Sequence, residues 1–149
     1  MGKVRILLAD DHRQVLVMVE RLLTSTCEVV GSVPDGQSLL DAARRLAPDV
    51  IVTDISMPIL NGIEASKQLN ESGCAAKIIF LTVHSDSDFV QTCLAIGAFG
   101  YVAKTRFALD LIPAIQEALA GHIFVSPTFS YPTLTLGDSD TAFARARTC

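Results

Sequence analysis

The chain has 149 residues, half of them hydrophobic, with 12 basic against 16 acidic side chains and a formal charge of −4. That length suits a single domain burying roughly two-thirds of the surface its unfolded chain would expose. The mild acidity argues against a standing electrostatic affinity for nucleic acid, and no apolar run approaches the ~20 residues of a membrane span.

The opening residues 1–8 carry an apolar run that stops at Asp10 and Asp11, too short for a secretion signal. Ile6 stands where a myristoylation signal needs Ser or Thr, so a cytoplasmic protein is expected. Val4–Ala9 is continuously apolar and reads as a first strand. Residues 13–24 then repeat at helical spacing through Val15, Met18, Val19, Leu22 and Leu23. Asp10 and Asp11 precede that helix, and one of them is expected to cap it. Residues 28–33 make a weaker second strand, and 37–47 a second helix stopped by Pro48, since the residue before proline avoids the α region. Val50–Thr53 is a third strand and 63–71 a third helix. Residues 77–81 form a fourth strand, 86–96 a fourth helix, and Gly100–Ala103 a short fifth strand.

The last helix runs through Leu111, Ile112, Ile115, Ala118 and Leu119 to a stop at Gly121. Pro113 lies inside that pattern; either the helix begins near Asp110, with the proline in its first turn, or it is kinked. Residues 126–149 are expected to be a flexible tail with a packed strip around Phe129, Tyr131 and Leu134. Cys27, Cys74, Cys93 and Cys149 form no C-x-x-C pair or metal cluster and read as small core residues or inert surface thiols.

Five βα units predict a doubly wound, five-stranded parallel sheet with helices on both faces. The polar residues then fall in a pattern. Asp10 and Asp11 follow the first strand, Asp54 the third, Thr82 the fourth and Lys104 the fifth. In an open parallel sheet all strand C-termini lie on one edge, where such folds bind ligands. Three carboxylates gathered there repel one another unless a cation compensates. A hard divalent ion such as Mg²⁺ fits, with Lys104 as a compact positive charge and Thr82 as a hydroxyl donor. Phosphoryl transfer needs mainly positioning and charge neutralisation, and a carboxylate nucleophile would form an acyl phosphate.

Asp10-Asp11, Asp54 followed by Met57-Pro58 and Asn61-Gly62, Thr82, and Tyr101 three residues before Lys104 together resemble the CheY-like receiver domains of response regulators. The resemblance covers about residues 3–125. Gly100-Tyr101-Val102-Ala103-Lys104 and Ala120-Gly121-His122-Ile123-Phe124-Val125-Ser126-Pro127 are similar to NarL/FixJ-type regulators in particular. The resemblance implies a flavodoxin-like strand order of 2-1-3-4-5, with residues 1–125 as the receiver. It implies that Asp54 accepts a phosphoryl group from a sensor histidine kinase or phosphotransfer protein. Asp11 and Asp54 would bind Mg²⁺ directly, Asp10 through water and Ser56 through its backbone carbonyl, while Thr82 and Lys104 bind phosphoryl oxygens. Thr82 and Tyr101 would form a switch pair, the tyrosine turning inward as the threonine moves. Such a domain catalyses only its own phosphorylation and dephosphorylation, and phosphorylation would remodel a protein-interaction or homodimerisation surface.

Val83 and Pro113 depart from the family pattern, and three histidines lie outside it. Val83 stands where a smaller residue is usual and would crowd the phosphoryl oxygens or slow water access. His84, two residues past Thr82, would either tune phosphoryl lifetime or be a solvent-exposed spectator; His12 flanks the site and His122 reads as a surface residue. The NarL/FixJ likeness normally brings a C-terminal helix-turn-helix, but the residues after Pro127 are too few for one, so no direct DNA binding is expected. Rival readings meet specific obstacles. A flavin binder wants a Ser/Thr/Gly-rich phosphate loop where Asp10-Asp11-His12 stands, and a haloacid-dehalogenase-type phosphatase wants an Asp at Ser56. The remaining alternative is an unphosphorylated pseudo-receiver acting as a protein-interaction module, against which the intact acidic set speaks.

Overall fold

Strands that are apolar along their whole length need cover on both faces, and the helices provide it. The computed structural model describes residues 2–129. Among them the order is β1 (Val4–Ala9), α1 (Arg13–Leu23), β2 (Cys27–Val33), α2 (Gly36–Leu46), β3 (Val50–Thr53) and α3 (Gly62–Glu71). There follow β4 (Lys77–Thr82), α4 (Ser87–Ala95), β5 (Gly100–Ala103), a 3-10 turn (Lys104–Arg106), α5 (Phe107–Leu119) and β6 (Phe124–Val125). All strand pairs are parallel, in the order β2-β1-β3-β4-β5-β6.

Alternation along each strand divides the core in two. Leu7, Ile51, Ile78, Phe80 and Tyr101 face α2, α3 and α4, where they meet Leu39, Leu40, Ala65, Leu69 and Val90. Ile6, Leu8, Val52, Ile79, Leu81 and Val102 face the other way, onto Val19 and Leu23 of α1 and Leu111, Ala114, Ile115 and Ala118 of α5. Local signals begin and end the helices. Asp35, Asn61 and Asp86 cap α2, α3 and α4, each side chain accepting from a backbone N–H in the first turn. Ala47 ends α2 in the left-handed region at φ 47°, and Gly121 (φ 84°) follows α5 as expected.

Three expectations need correction. The sheet has six strands, not five: Gly100 pairs with Phe124 and Tyr101 with Val125. A two-residue strand is too short to show any alternation, and its stability comes from docking on β5. Tyr101 is therefore not on an edge strand. The cap of α1 is His12 rather than an aspartate, and it makes no side-chain cap bond. Finally, α5 starts before Asp110 and carries Pro113 in its second turn. The carbonyl that Pro113 cannot bond belongs to Leu109, which is 68 % exposed, so water can replace the missing donor.

Beyond β6 the packed segment continues past residue 125, with Ser126 and Phe129 both buried. Tyr131 and Leu134, along with Cys149, lie outside the described residues. Cys27, Cys74 and Cys93 are free thiols, and burial pushes the Cys93 thiol up to about 12, which keeps it protonated and unreactive.

Candidate functional site

The parallel register brings the strand ends level. Ala9 pairs with Thr53 and Thr82 with Ala103, so Asp10, Asp54, Thr82 and Lys104 meet at one edge of the sheet. The ladder continues past the strands: the Asp54 N–H donates to Ala9 O at 2.9 Å and the Asp10 N–H to Val33 O at 3.0 Å. Both carboxylates are thereby fixed by their own backbone.

Asp10 and Asp54 are buried, at 3 % and 4 % exposure, and both are paired to one cation. Lys104 Nζ lies 2.8 Å from Asp10 Oδ2 and 2.9 Å from Asp54 Oδ2. Burial alone would lower the lysine pKa, but hydrogen bonds and Coulombic attraction to Asp10 and Asp54 outweigh it and raise the value. The other oxygen of Asp54 accepts from the Ile55 N–H at 2.7 Å. Asp10 Oδ1 accepts from the His12 N–H at 2.8 Å, and His12 Nδ1 lies 3.1 Å from Asp10 and 3.2 Å from Asp11. Ligand atoms of Asp10, Asp11, His12 and Asp54 all fall within 4.8 Å of one another, so this cluster has the donors for a metal ion. Carboxylate oxygens predominate, which suits a hard cation that keeps part of its water shell.

The loop after β3 is held tightly against Asp54. A Cβ on Gly62 would lie 2.0 Å from the Asp54 carbonyl oxygen, while the Gly62 N–H donates to Ile55 O at 2.8 Å. No side chain fits there without moving Asp54. Gly62→Ala is accordingly expected to destabilise the fold by at least about 1–3 kcal/mol, read from chemical denaturation. An alanine variant of wild-type stability would show that the loop yields easily. Ile59 in the same loop sits at φ 71°, strained for a β-branched residue, with 81 % of its surface exposed.

His84 is the residue whose importance the sequence concealed. Its backbone N–H donates to Thr82 Oγ1 (3.2 Å), its carbonyl accepts from the Tyr101 hydroxyl (2.9 Å), and its Nε2 is 2.7 Å from Ser56 Oγ. Its ring also stacks on Phe89, with centroids 4.6 Å apart. It therefore ties the loops after β3 and β4 to β5, and its side chain is half-buried rather than free in solvent. Only its position two residues past Thr82 hinted at this. Val83, by contrast, is 69 % exposed and turned to solvent rather than packed into the site.

Tyr101 is completely buried, its ring in edge contact with Phe129 at 4.8 Å and tilted against Phe80 at 6.5 Å. Burial pushes its phenol well above the ordinary value, and the carboxylates of Asp54 and Asp86 add to the push. A groove of about 540 Å³ lined by Arg44, Cys74 and Lys77 lies at the opposite edge of the sheet, away from these carboxylates.

Residues 6–116 match the family model described as the response regulator receiver domain. The chain is 34 % identical over 126 residues to the response regulator GacA of Pseudomonas viridiflava, covering 83 % of this chain and 59 % of GacA. It is 34 % identical over 123 residues to the nitrate/nitrite response regulator NarL of Escherichia coli K12, covering 81 % of this chain and 57 % of NarL. The chain thus spans little more than half the length of these relatives. A solved two-component response regulator of the LuxR family from Aurantimonas sp. SI85-9A1 superposes with a TM-score of 0.80 at 31 % identity, covering 99 % of this chain and all of that one.

Proposed function

Because this chain belongs to the response regulator receiver domain family, with NarL- and LuxR-type regulators among its relatives, we propose that it accepts a phosphoryl group on Asp54. The donor would be a phosphohistidine on a sensor histidine kinase or a phosphotransfer protein. A carboxylate oxygen of Asp54 forms the new P–O bond as the P–N bond breaks, and the leaving imidazole takes the electron pair. What carries this reading is the pairing of two buried carboxylates with the single Lys104 ammonium. A lysine within reach of the acceptor can follow the incoming phosphoryl oxygens, leaving Asp10 and Asp11 free to meet a cation.

Mg²⁺ is the proposed cofactor, held by Asp10, Asp11, Asp54 and the Ser56 carbonyl. When bound it neutralises charge on the phosphoryl group and the carboxylates. Thr82 donates its hydroxyl to a phosphoryl oxygen. That movement pulls on the His84 N–H it now accepts from, and through the His84 carbonyl on Tyr101. The face made by α4, β5 and α5 is the proposed output, as a protein-interaction or homodimer surface. On this reading the chain catalyses only its own phosphorylation and dephosphorylation. No helix among the described residues is long and apolar enough to cross a membrane, in keeping with a proposed cytoplasmic site of action.

The test is incubation with Mg²⁺ and acetyl phosphate or phosphoramidate, followed by intact mass. A phosphate adduct is expected; its absence with every donor, in a folded sample, would overturn the proposal. Asp11→Ala is expected to weaken Mg²⁺ binding by about tenfold or more, near 1.4 kcal/mol, in a chemical-shift titration. Unchanged affinity would remove Asp11 from the ligand set.

A further inference from the structure

The segment after α5 reaches the backbone just before Lys104 through Ser126, a residue beyond the stretch matched to the receiver family model. Ser126 is completely buried. Its Oγ donates to Asp110 Oδ2 at 2.7 Å and accepts from the Ala103 N–H at 3.0 Å, while its own N–H donates to Tyr101 O at 2.9 Å. Asp110, also buried, accepts from Arg106 Nε at 2.7 Å and Nη2 at 3.2 Å. The Arg106 hydrogen bond holds the Asp110 carboxyl below its usual value, against the effect of burial and with help from Ser126, so it stays ionised as an acceptor.

The placement of these bonds matters. Pairing between β5 and β6 ends at Tyr101 and Val125, yet Ala103 is only 6 % exposed. Without Ser126 its N–H would lose this partner in a buried setting. A serine hydroxyl can accept that bond and donate to Asp110 at once. Lys104 sits between the two anchored points: Ala103 before it is held by Ser126, and Arg106 after it by Asp110. The one-turn 3-10 segment Lys104–Arg106 has no side-chain cap of its own. Its orientation is set from outside.

We infer that Ser126 is a positioning residue for phosphoryl transfer: through Ala103 and Asp110 it aims Lys104 at Asp10 and Asp54. The inference rests on the reading of Asp54 as the phosphoacceptor. It makes the docked segment after α5 part of the transfer apparatus, although none of its atoms need touch the phosphoryl group. Misplacing a group that stabilises developing charge by even 1 Å costs up to about 10²-fold in rate, so a loosened turn should show in the kinetics before it shows in the fold.

The experiment follows the Lys104 side-chain ammonium by NMR of protein labelled with ¹⁵N-lysine, the signal being assigned by its loss in Lys104→Ala, alongside phosphorylation rates with acetyl phosphate and Mg²⁺. Ser126→Ala is expected to shift the Lys104 signal toward those of exposed lysines and to slow phosphorylation roughly tenfold at saturating donor. Asp110→Asn, which keeps an acceptor for Ser126 but loses the charge that anchors Arg106, should move both readouts the same way. Pro127→Ala, at an exposed neighbour, should move neither. A Lys104 signal unmoved in both folded variants would overturn the inference, as would a shifted signal with an unchanged rate. Wild-type protein that takes no phosphate would instead sink the acceptor reading itself, and the Lys104 signal would still report whether Ser126 places the lysine.

Discussion

Asp54→Ala is expected to leave no phosphate adduct under conditions that phosphorylate the wild-type chain. The effect should be complete rather than graded, because the substitution removes the proposed nucleophile and not one of several stabilising contacts. Loss of fold is not the expected cause. Lys104 keeps Asp10 as a partner at 2.8 Å, so no buried charge is stranded. Asp54→Asn provides the control for shape, since its carbonyl oxygen can still accept from the Ile55 N–H. Both variants should retain wild-type circular dichroism and show no adduct by intact mass. An adduct that survives in folded Asp54→Ala would place the phosphoryl group elsewhere and end the assignment.

Lys104→Ala should have the larger effect on stability. It leaves two carboxylates, at 4 % and 5 % side-chain exposure, without the cation that compensates both. Breaking a buried pair by removing one member typically costs about 3–5 kcal/mol, and here one lysine serves two acids. Denaturation without metal should therefore show a large loss, and Mg²⁺ should restore much of it by supplying positive charge to the same carboxylates. A metal-independent deficit would mean that lost packing, not charge, is responsible. The wild-type protein carries a related signature. Because the Lys104 pKa is raised on folding, its contribution is fully present below the ordinary lysine value near ~10.4 and is lost as the pH rises through the folded value. The expected window of destabilisation from this pair is alkaline.

The parts of this molecule that could be read from sequence share one property: their signal is local and repeated. Val4–Ala9, Val50–Thr53 and Gly100–Ala103 announce themselves as apolar runs between turn residues, and their boundaries stand as read. The acidic site was legible because its members follow strand ends, and parallel topology alone carries strand ends to one edge. What escaped depends on contacts between distant segments. Phe124–Val125 has no pattern of its own and becomes a strand only against β5. His84 looks like any loop histidine until Ser56 and Tyr101 meet it from other loops. The bonds of Ser126 could not be read from its place in a motif, since its partners Ala103 and Asp110 become neighbours only after β5 and α5 have packed. The cap of α1 was misread for a different reason: Asp10 is already engaged by Lys104 and turned toward the site, so the position passes to His12.

The brevity of β6 bears on how copies of this protein meet one another. A long open strand at the margin of a sheet invites another chain to add to it and so seeds aggregation. Here one margin of the described sheet offers only Phe124 and Val125. The other, β2, exposes Glu28 and Ser32 and pairs with β1 through a register shift between Ile6 and Leu7. Neither is a good template for strand addition. Among the described residues, growth by backbone pairing is thus disfavoured, and assembly through side chains on the helical faces is the more open route.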